Sequence, residues 1–322
     1  MAGIPDESSG EYQALCVKIL LRFLDDPEYA PDEIFLAAIV ILRSCEELSG
    51  KVGLRESLVL SNSLSDDDRM THLLGSSRLV NTINEVAASG GLGEAAAWVA
   101  LRQNIYVCLT INAPLNLNLD CYKASTSFIG VTDHAWVNKI VYVFAEILRY
   151  SCQPAEFLTS ETWLDLNHAT EDWFQTKPDT FNPLLAIRYP TPTDAGERHV
   201  FPEILMLQAP HVIGMVYYHL SHIVLASTDP HKIRVGFGAV WSWRETENAL
   251  RGDLKAIIGL AISNPHVPAA SFEASHILHA CGHCLRSQAE RQAALDFLHS
   301  VTERIGWRVQ HIVDHLREYW QG

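Results

Sequence analysis

Hydrophobic positions recur at three- and four-residue spacing along most of this chain, the period of an α-helix with one buried face. Leu15, Ile19, Leu20 and Phe23 mark the first such stretch, over 11–25, which stops at Pro27. The next, over 32–48, opens behind Pro31 and ends at Gly50. Proline at a helix start and glycine just past its end are the expected punctuation. The same reasoning predicts helices over 69–88, 94–111, 133–150, 161–175, 203–227, 239–262, 269–286 and 288–305, with a short one at 310–320. Ser287 and Glu290 read as a capping box that opens the penultimate helix, and Gly306 closes it. No convincing run has the period of two that a half-buried strand shows. The pattern predicts an all-α protein.

Irregular sequence lies at 112–132 and 188–202, and the second, "RYPTPTDAGERHVFP", has the composition of a linker. Helices on both sides of it carry wide apolar faces, so the expectation is a single large multi-helix domain over 11–322 with a long surface loop. Residues 1–10, acidic and polar, read as a disordered N-terminus. No repeat and no low-complexity tract interrupts the pattern.

Composition narrows the functional classes. With 48% hydrophobic and 19% charged residues the chain reads as globular. Its longest apolar run, Ile34 to Leu42, is too short to cross a bilayer. The N-terminus has neither a basic nor an apolar leader segment, and seven scattered cysteines suit a reducing compartment, so an intracellular protein is expected. A net charge of −14, from 24 Lys+Arg against 38 Asp+Glu and without a basic run, predicts no direct nucleic-acid binding.

Four stretches carry more chemistry than packing needs. "HILHACGHCLRSQAER", 276–291, gathers His276, His279, His283, Cys281 and Cys284. On a helical wheel the histidines fall within about 60° of one another along one edge, while the cysteines point with Ile277, Leu278 and Leu285. Tetrahedral zinc needs converging ligands, and a redox Cys-x-x-Cys sits at a helix N-terminus. The stretch therefore reads as core packing ahead of a metal site or redox pair. In "AAAWVALRQNIYVCL", 95–109, Arg102 shares an apolar stripe with Trp98, Leu101 and Ile105. It reads as half of an internal ion pair, with Glu46 or Glu47 as partner, or as a clamp on an acidic or carbonyl-bearing ligand. In "VIGMVYYHLSHIVLA", 212–226, His219 lies on an apolar stripe with His222 at its edge and Tyr217 and Tyr218 beside it. Such an imidazole is a hydrogen-bonded core group or a general base. Trp136, Trp163, Trp173, Trp241 and Trp243 read as core, or as walls of an apolar pocket. No phosphate loop, nucleophile elbow, His-Glu-x-x-His or paired-carboxylate cluster occurs, and no cofactor is expected.

Five segments occur in an order that resembles the helical regulatory domain of fungal binuclear-zinc-cluster transcription factors. They are "ILRSCEELSG", "AAWVALRQNIYVCLTINAPLNLNLD", "DHAWVNKIVYVFAEIL", "FPEILMLQAPHVIGMVYYHLSHIVLA" and the run from "IIGLAISNPHVP" to "SVTERIGW". The strongest pieces are Arg102-Gln103, Tyr217-Tyr218-His219, the 259–264 run Gly-Leu-Ala-Ile-Ser-Asn and the 281–284 run Cys-Gly-His-Cys. The family's six-cysteine cluster and basic linker are not in the sequence. Trp307-Arg308-Val309 stands where the family often has Trp-Pro-Thr, and Leu54-Arg55-Glu56-Ser57 departs from the family's pattern near its start.

The resemblance implies the all-α regulatory fold and leaves two functions open. The favoured one is a cofactor-independent biosynthetic enzyme, a cyclase or isomerase of pericyclic type, holding an apolar natural-product intermediate. Arg102, His219 and His222 would then polarise the substrate or move a proton. Tyr106, Trp136 and Tyr218 would line its pocket. The alternative is a transcriptional regulator or metabolite sensor acting through protein partners or as a homodimer, cytoplasmic or nuclear.

Overall fold

The computed structural model describes residues 6–24, 32–49, 80–81, 86–111, 114–187, 200–233 and 235–321. Among them the protein is mostly helical, with eleven α-helices and one two-stranded sheet. The all-α expectation holds at that level. The chain divides into two compact units, Met1–Ile111 with Asn116–Thr126, and Asn112–Leu115 with Ser127–Gly322.

In the first unit, α1 (Asp6–Leu24) precedes α2 (Glu33–Ser49), which packs along α3 (Gly91–Ile111). Asp32 caps α2, its carboxylate accepting from the Phe35 N–H at 2.9 Å. Phe35, Leu36, Ile39, Val40 and Leu42 form its buried face, against Ala97, Ala100, Leu101 and Ile105 of α3. Gln103 stitches the two helices, donating to the Val40 carbonyl and to Ser44 Oγ, both at 3.0 Å. Glu94, buried at the start of α3, accepts from Ser125 Oγ at 2.6 Å and Thr126 Oγ1 at 2.9 Å. The helix predicted over 69–88 and the side chains of Glu46 and Glu47 lie outside the described residues, apart from a 3₁₀ turn at Val86–Ala88 and the helical pair 80–81.

The second unit is built around one helix. A short α4 (Thr126–Ile129) leads to α5 (Asp133–Ser151), α6 (Ser160–Thr176) and α7 (Ala209–Thr228). Then come α8 (Phe237–Ser263), α9 (Pro268–Cys281), α10 (Gln288–Ile305) and α11 (Gln310–Gln321). α7 packs most extensively on α5 and α8. Ile140, Phe144, Ile147 and Leu148 of α5 and Leu254, Ile257, Ile258 and Ala261 of α8 are buried. The predicted capping box is present: Ser287 Oγ accepts from the Glu290 N–H at 3.2 Å, and Gly306, at φ 73°, ends α10.

Two boundaries differ markedly from the sequence reading. The helix predicted over 203–227 begins only at Ala209, because Glu203–Leu205 forms β2, antiparallel to β1 (Leu185–Ile187) with Leu185 opposite Leu205. These three-residue strands are too short and too exposed to alternate in polarity. They are held from outside instead: Asn264 accepts from the Met206 N–H at 2.9 Å and donates to the Ile204 carbonyl at 2.7 Å. Gly259 admits the strand over α8, since a Cβ there would stand 2.3 Å from the Pro202 carbonyl oxygen. The helix predicted over 269–286 stops at Cys281, so the Cys-Gly-His-Cys run is a helix end and a 3₁₀ turn, not a mid-helix segment. A Cβ on Gly282 would lie 2.5 Å from Leu316 Cδ2, so glycine lets α11 lie against the turn.

Candidate functional site

α7 is apolar around most of its circumference, with Val212, Val216, Leu220, Ile223 and Leu225 buried. Polar groups on such a helix face other helices rather than water, and each costs free energy unless it finds a partner there. The partners are carboxylates. His211 is fully buried, its Nδ1 accepts from the Gln208 N–H at 3.2 Å, and its Nε2 lies 2.8 Å from Asp133 Oδ2 at the start of α5. Accepting at Nδ1 leaves the ring proton on Nε2, which donates to Asp133. That bond, above all, holds the Asp133 carboxyl below its ordinary range, with Thr180 adding to it.

His219 repeats the arrangement, its Nδ1 2.8 Å from Asp253 Oδ1 of α8, whereas His222 Nε2 stands 2.9 Å from Glu171 Oε1 of α6 without hydrogen-bond geometry. Between them Tyr218 hydrogen-bonds Glu171, and burial followed by the charges of Glu171 and Asp253 pushes its hydroxyl well above the usual phenol range. Tyr217 donates to Glu273 Oε1 of α9 at 3.4 Å. Five side chains over about three turns of α7 thus reach acidic groups on α5, α6, α8 and α9.

Of the residues singled out in the sequence, Tyr218, His219 and His222 are gathered here. Trp136 lies one step away: its carbonyl accepts from Trp173 Nε1 at 2.9 Å, and Trp173 stacks on Tyr218 with centroids 6.1 Å apart. Phe174 covers Tyr218 more closely, at 4.5 Å. Arg102 and Tyr106 belong to α3 of the first unit. Arg102 Nη1 donates to the Trp98 carbonyl at 3.1 Å, and Tyr106 is buried. Not every tryptophan is core: Trp173 is buried, whereas Trp241 and Trp243 are 67% and 69% exposed.

Chemically, a carboxylate on one ring nitrogen orients an imidazole and leaves the other nitrogen for a proton or a ligand. His219 has this form, with its ring 18% and Asp253 17% exposed. His211, sealed between Gln208 and Asp133, does not.

The histidines of 276–291 take a different course. Cys281 and Cys284 are buried among apolar side chains, as the wheel predicts, and burial first of all pushes their thiols up to about 12 and about 11. That is the opposite of an activated thiolate. The second element that the sequence reading did not supply is α11, whose His311 and His315 are four apart on one helix face. His279 lies 4.5 Å from the His315 ring and 6.2 Å from the His311 ring. His276 packs between Phe272, at 4.5 Å, and Trp307, at 5.8 Å. Burial, with His311 and His279 behind it, lowers the His276 pKa to about 3. Among the described residues no group of three or more His, Cys, Asp or Glu is arranged to hold a metal ion.

Sequence reasoning also passed over Glu290 as anything but a cap. Fully buried, it accepts from Arg251 at 2.5 Å and Lys255 at 3.0 Å on one oxygen, and from the Arg286 and Ser287 N–H groups on the other. Burial alone would raise its pKa, but these donors outweigh it and hold the carboxyl at about 2. Compared with protein-family models, with curated proteins and with solved structures, the chain has no match in any of the three.

Proposed function

We propose that the chain is a helical regulatory module of the transcription-factor type, which senses a metabolite or acts through protein partners. The observation that carries this reading is the use made of the α7 imidazoles. His211 and His219 each hydrogen-bond a carboxylate of a different neighbouring helix, and His222 lies against a third, so their first task is to fasten α7 at the centre of the unit. A scaffold clipped at several points along one central helix suits a protein whose output is binding, because small shifts of that helix are felt by every neighbour. Purified protein titrated with a metabolite extract is expected to show a saturable rise in Tm without any new product.

The enzyme reading retains one specific support. The partly exposed His219–Asp253 pair beside Tyr218 has the form of a general base with an adjacent hydroxyl. A cofactor-independent isomerase or cyclase working there on an apolar intermediate would convert a component of the same extract, and His219→Asn would end conversion while the protein stayed folded. Product formation that survives His219→Asn sinks the enzyme reading at this site.

A further inference from the structure

His219 and His222 lie about one turn apart on α7, and each places a ring nitrogen against a carboxylate, yet the two contacts differ in kind. His219 Nδ1 meets Asp253 Oδ1 at 2.8 Å along a hydrogen bond. His222 Nε2 stands 2.9 Å from Glu171 Oε1 but out of line for one, and this nitrogen is buried with no hydrogen-bond partner. A buried polar atom left so costs free energy and calls for a specific explanation.

With the ring proton on Nδ1, Nε2 presents a lone pair, as the carboxylate oxygen does. Two lone-pair atoms this close repel unless a proton or a cation lies between them. The misalignment argues against a shared proton, which leaves a cation. Metal–nitrogen bonds of about 2.0–2.1 Å and metal–oxygen bonds of about 2.0–2.2 Å, set at a right angle, hold their ligand atoms roughly 2.9 Å apart. That is the separation observed. The surroundings steady both groups. Tyr218, one turn before His222, sets its ring 4.4 Å from the imidazole and hydrogen-bonds Glu171. Phe174, three residues beyond Glu171 on α6, stacks on Tyr218. Contacts of this kind orient metal ligands. The charges of Glu171 and Asp253 both reach Tyr218, so the locality favours a cation.

We propose that His222 Nε2 and Glu171 Oε1 are two ligands of a transition-metal dication of the Zn(II) or Co(II) class, with water at the remaining positions. An imidazole nitrogen beside a carboxylate selects this class over Mg(II) and Ca(II), which take oxygen ligands. Side-chain exposures of 29% for His222 and 40% for Glu171 give the ion a way in from solvent. Once bound, it links α6 to α7. Its binding is independent of metabolite sensing, which stands or falls on the extract titration.

The test titrates the full chain, its exposed Cys16, Cys45 and Cys152 alkylated, with Zn(II) in equilibrium dialysis and with Co(II) in visible absorption. One ion per chain is expected, with a Co(II) spectrum of nitrogen and oxygen ligands, no thiolate band, and a rise in Tm on adding Zn(II). His222→Gln and Glu171→Gln should each weaken binding about tenfold or more and remove that rise, whereas His315→Gln, in the other histidine set, should change neither. Both side chains are partly exposed, so a metal-free Tm equal to the parent's shows that the variants fold. Co(II) broadening of the Tyr218 and His222 ring signals in the parent chain gives a reading that needs no variant. Zn(II) binding that persists in His222→Gln, or that is lost only in His315→Gln, overturns the proposal. So does equally tight binding of Mg(II), or no binding below millimolar Zn(II).

Discussion

Two sets of histidines in the second unit look alike on a helical wheel and behave in opposite ways. Those of α7 are each answered by a carboxylate from another helix, whereas His276, His279, His311 and His315 are packed against one another and against Phe272 and Trp307. At His211 and His219 the first arrangement commits a ring nitrogen to a directional hydrogen bond, and at His222 to a close charge contact. In the second, burial disfavours the charged form of His276. The contrast teaches that an imidazole on an apolar stripe has no chemistry of its own until its neighbours assign one.

The largest cost is expected at a buried carboxylate outside both histidine sets. Glu290 is fully buried, and Glu290→Ala leaves Arg251 and Lys255 facing each other without their anion and uncaps α10. A loss of about 3–5 kcal/mol in denaturant unfolding is expected. A loss below about 1 kcal/mol would contradict the role assigned to it. Because its folded pKa is about 2 against an ordinary 4.5, its contribution is complete above pH 4.5 and fades as pH falls toward 2.

Next comes His211→Ala, which empties a ring-sized volume and strands Asp133 and the Gln208 N–H; about 2–4 kcal/mol should be lost. His211→Phe, which fills the space without the bonds, should recover only part of it. The packed set is tested by pH instead. With His276 lowered to about 3 from 6.5, the unfolded chain binds a proton that the folded one refuses. Stability should thus fall as pH drops below 6.5, by up to about 1.4 kcal/mol per unit, and His276→Phe should flatten that limb of the profile. An unaltered profile would mean that the ring is not held neutral. Asp133, whose carboxyl is held below 3.8, weakens only in stronger acid, so the two sets separate on a single titration. The smallest effect belongs to Asp253→Asn, at a half-open pair, about 0.5–1 kcal/mol by thermal unfolding.

Much of the helical architecture was legible from the pattern alone, and so was the capping box at Ser287 and Glu290, because caps and the 3.6-residue period involve neighbours within a turn. The burial of Cys281 and Cys284 was legible for the same reason. The helix end at Cys281 was not, although Gly282 is a visible cue; that this glycine makes room for Leu316, more than thirty residues on, only the fold reveals. Of the candidate residues, Tyr218, His219 and His222 share one helix, which the stripe could show. Neither Asp253 nor Glu171 carried any signal as their partners, and His211 was passed over altogether. The His311 and His315 spacing was in the sequence to be read, and only the packing of α11 on α9 gave it meaning.

What the sequence determined by itself was local: which segments coil, where most of them stop, and that the chain is strongly acidic. What the tertiary structure decided was partnership. His211 meets Asp133 across 78 residues, His219 meets Asp253 across 34 and Glu290 meets Arg251 across 39. Hydrogen bonds and ion pairs act over a few ångströms of space, so which carboxylate an imidazole finds depends on how helices pack rather than on the spacing of residues along the chain.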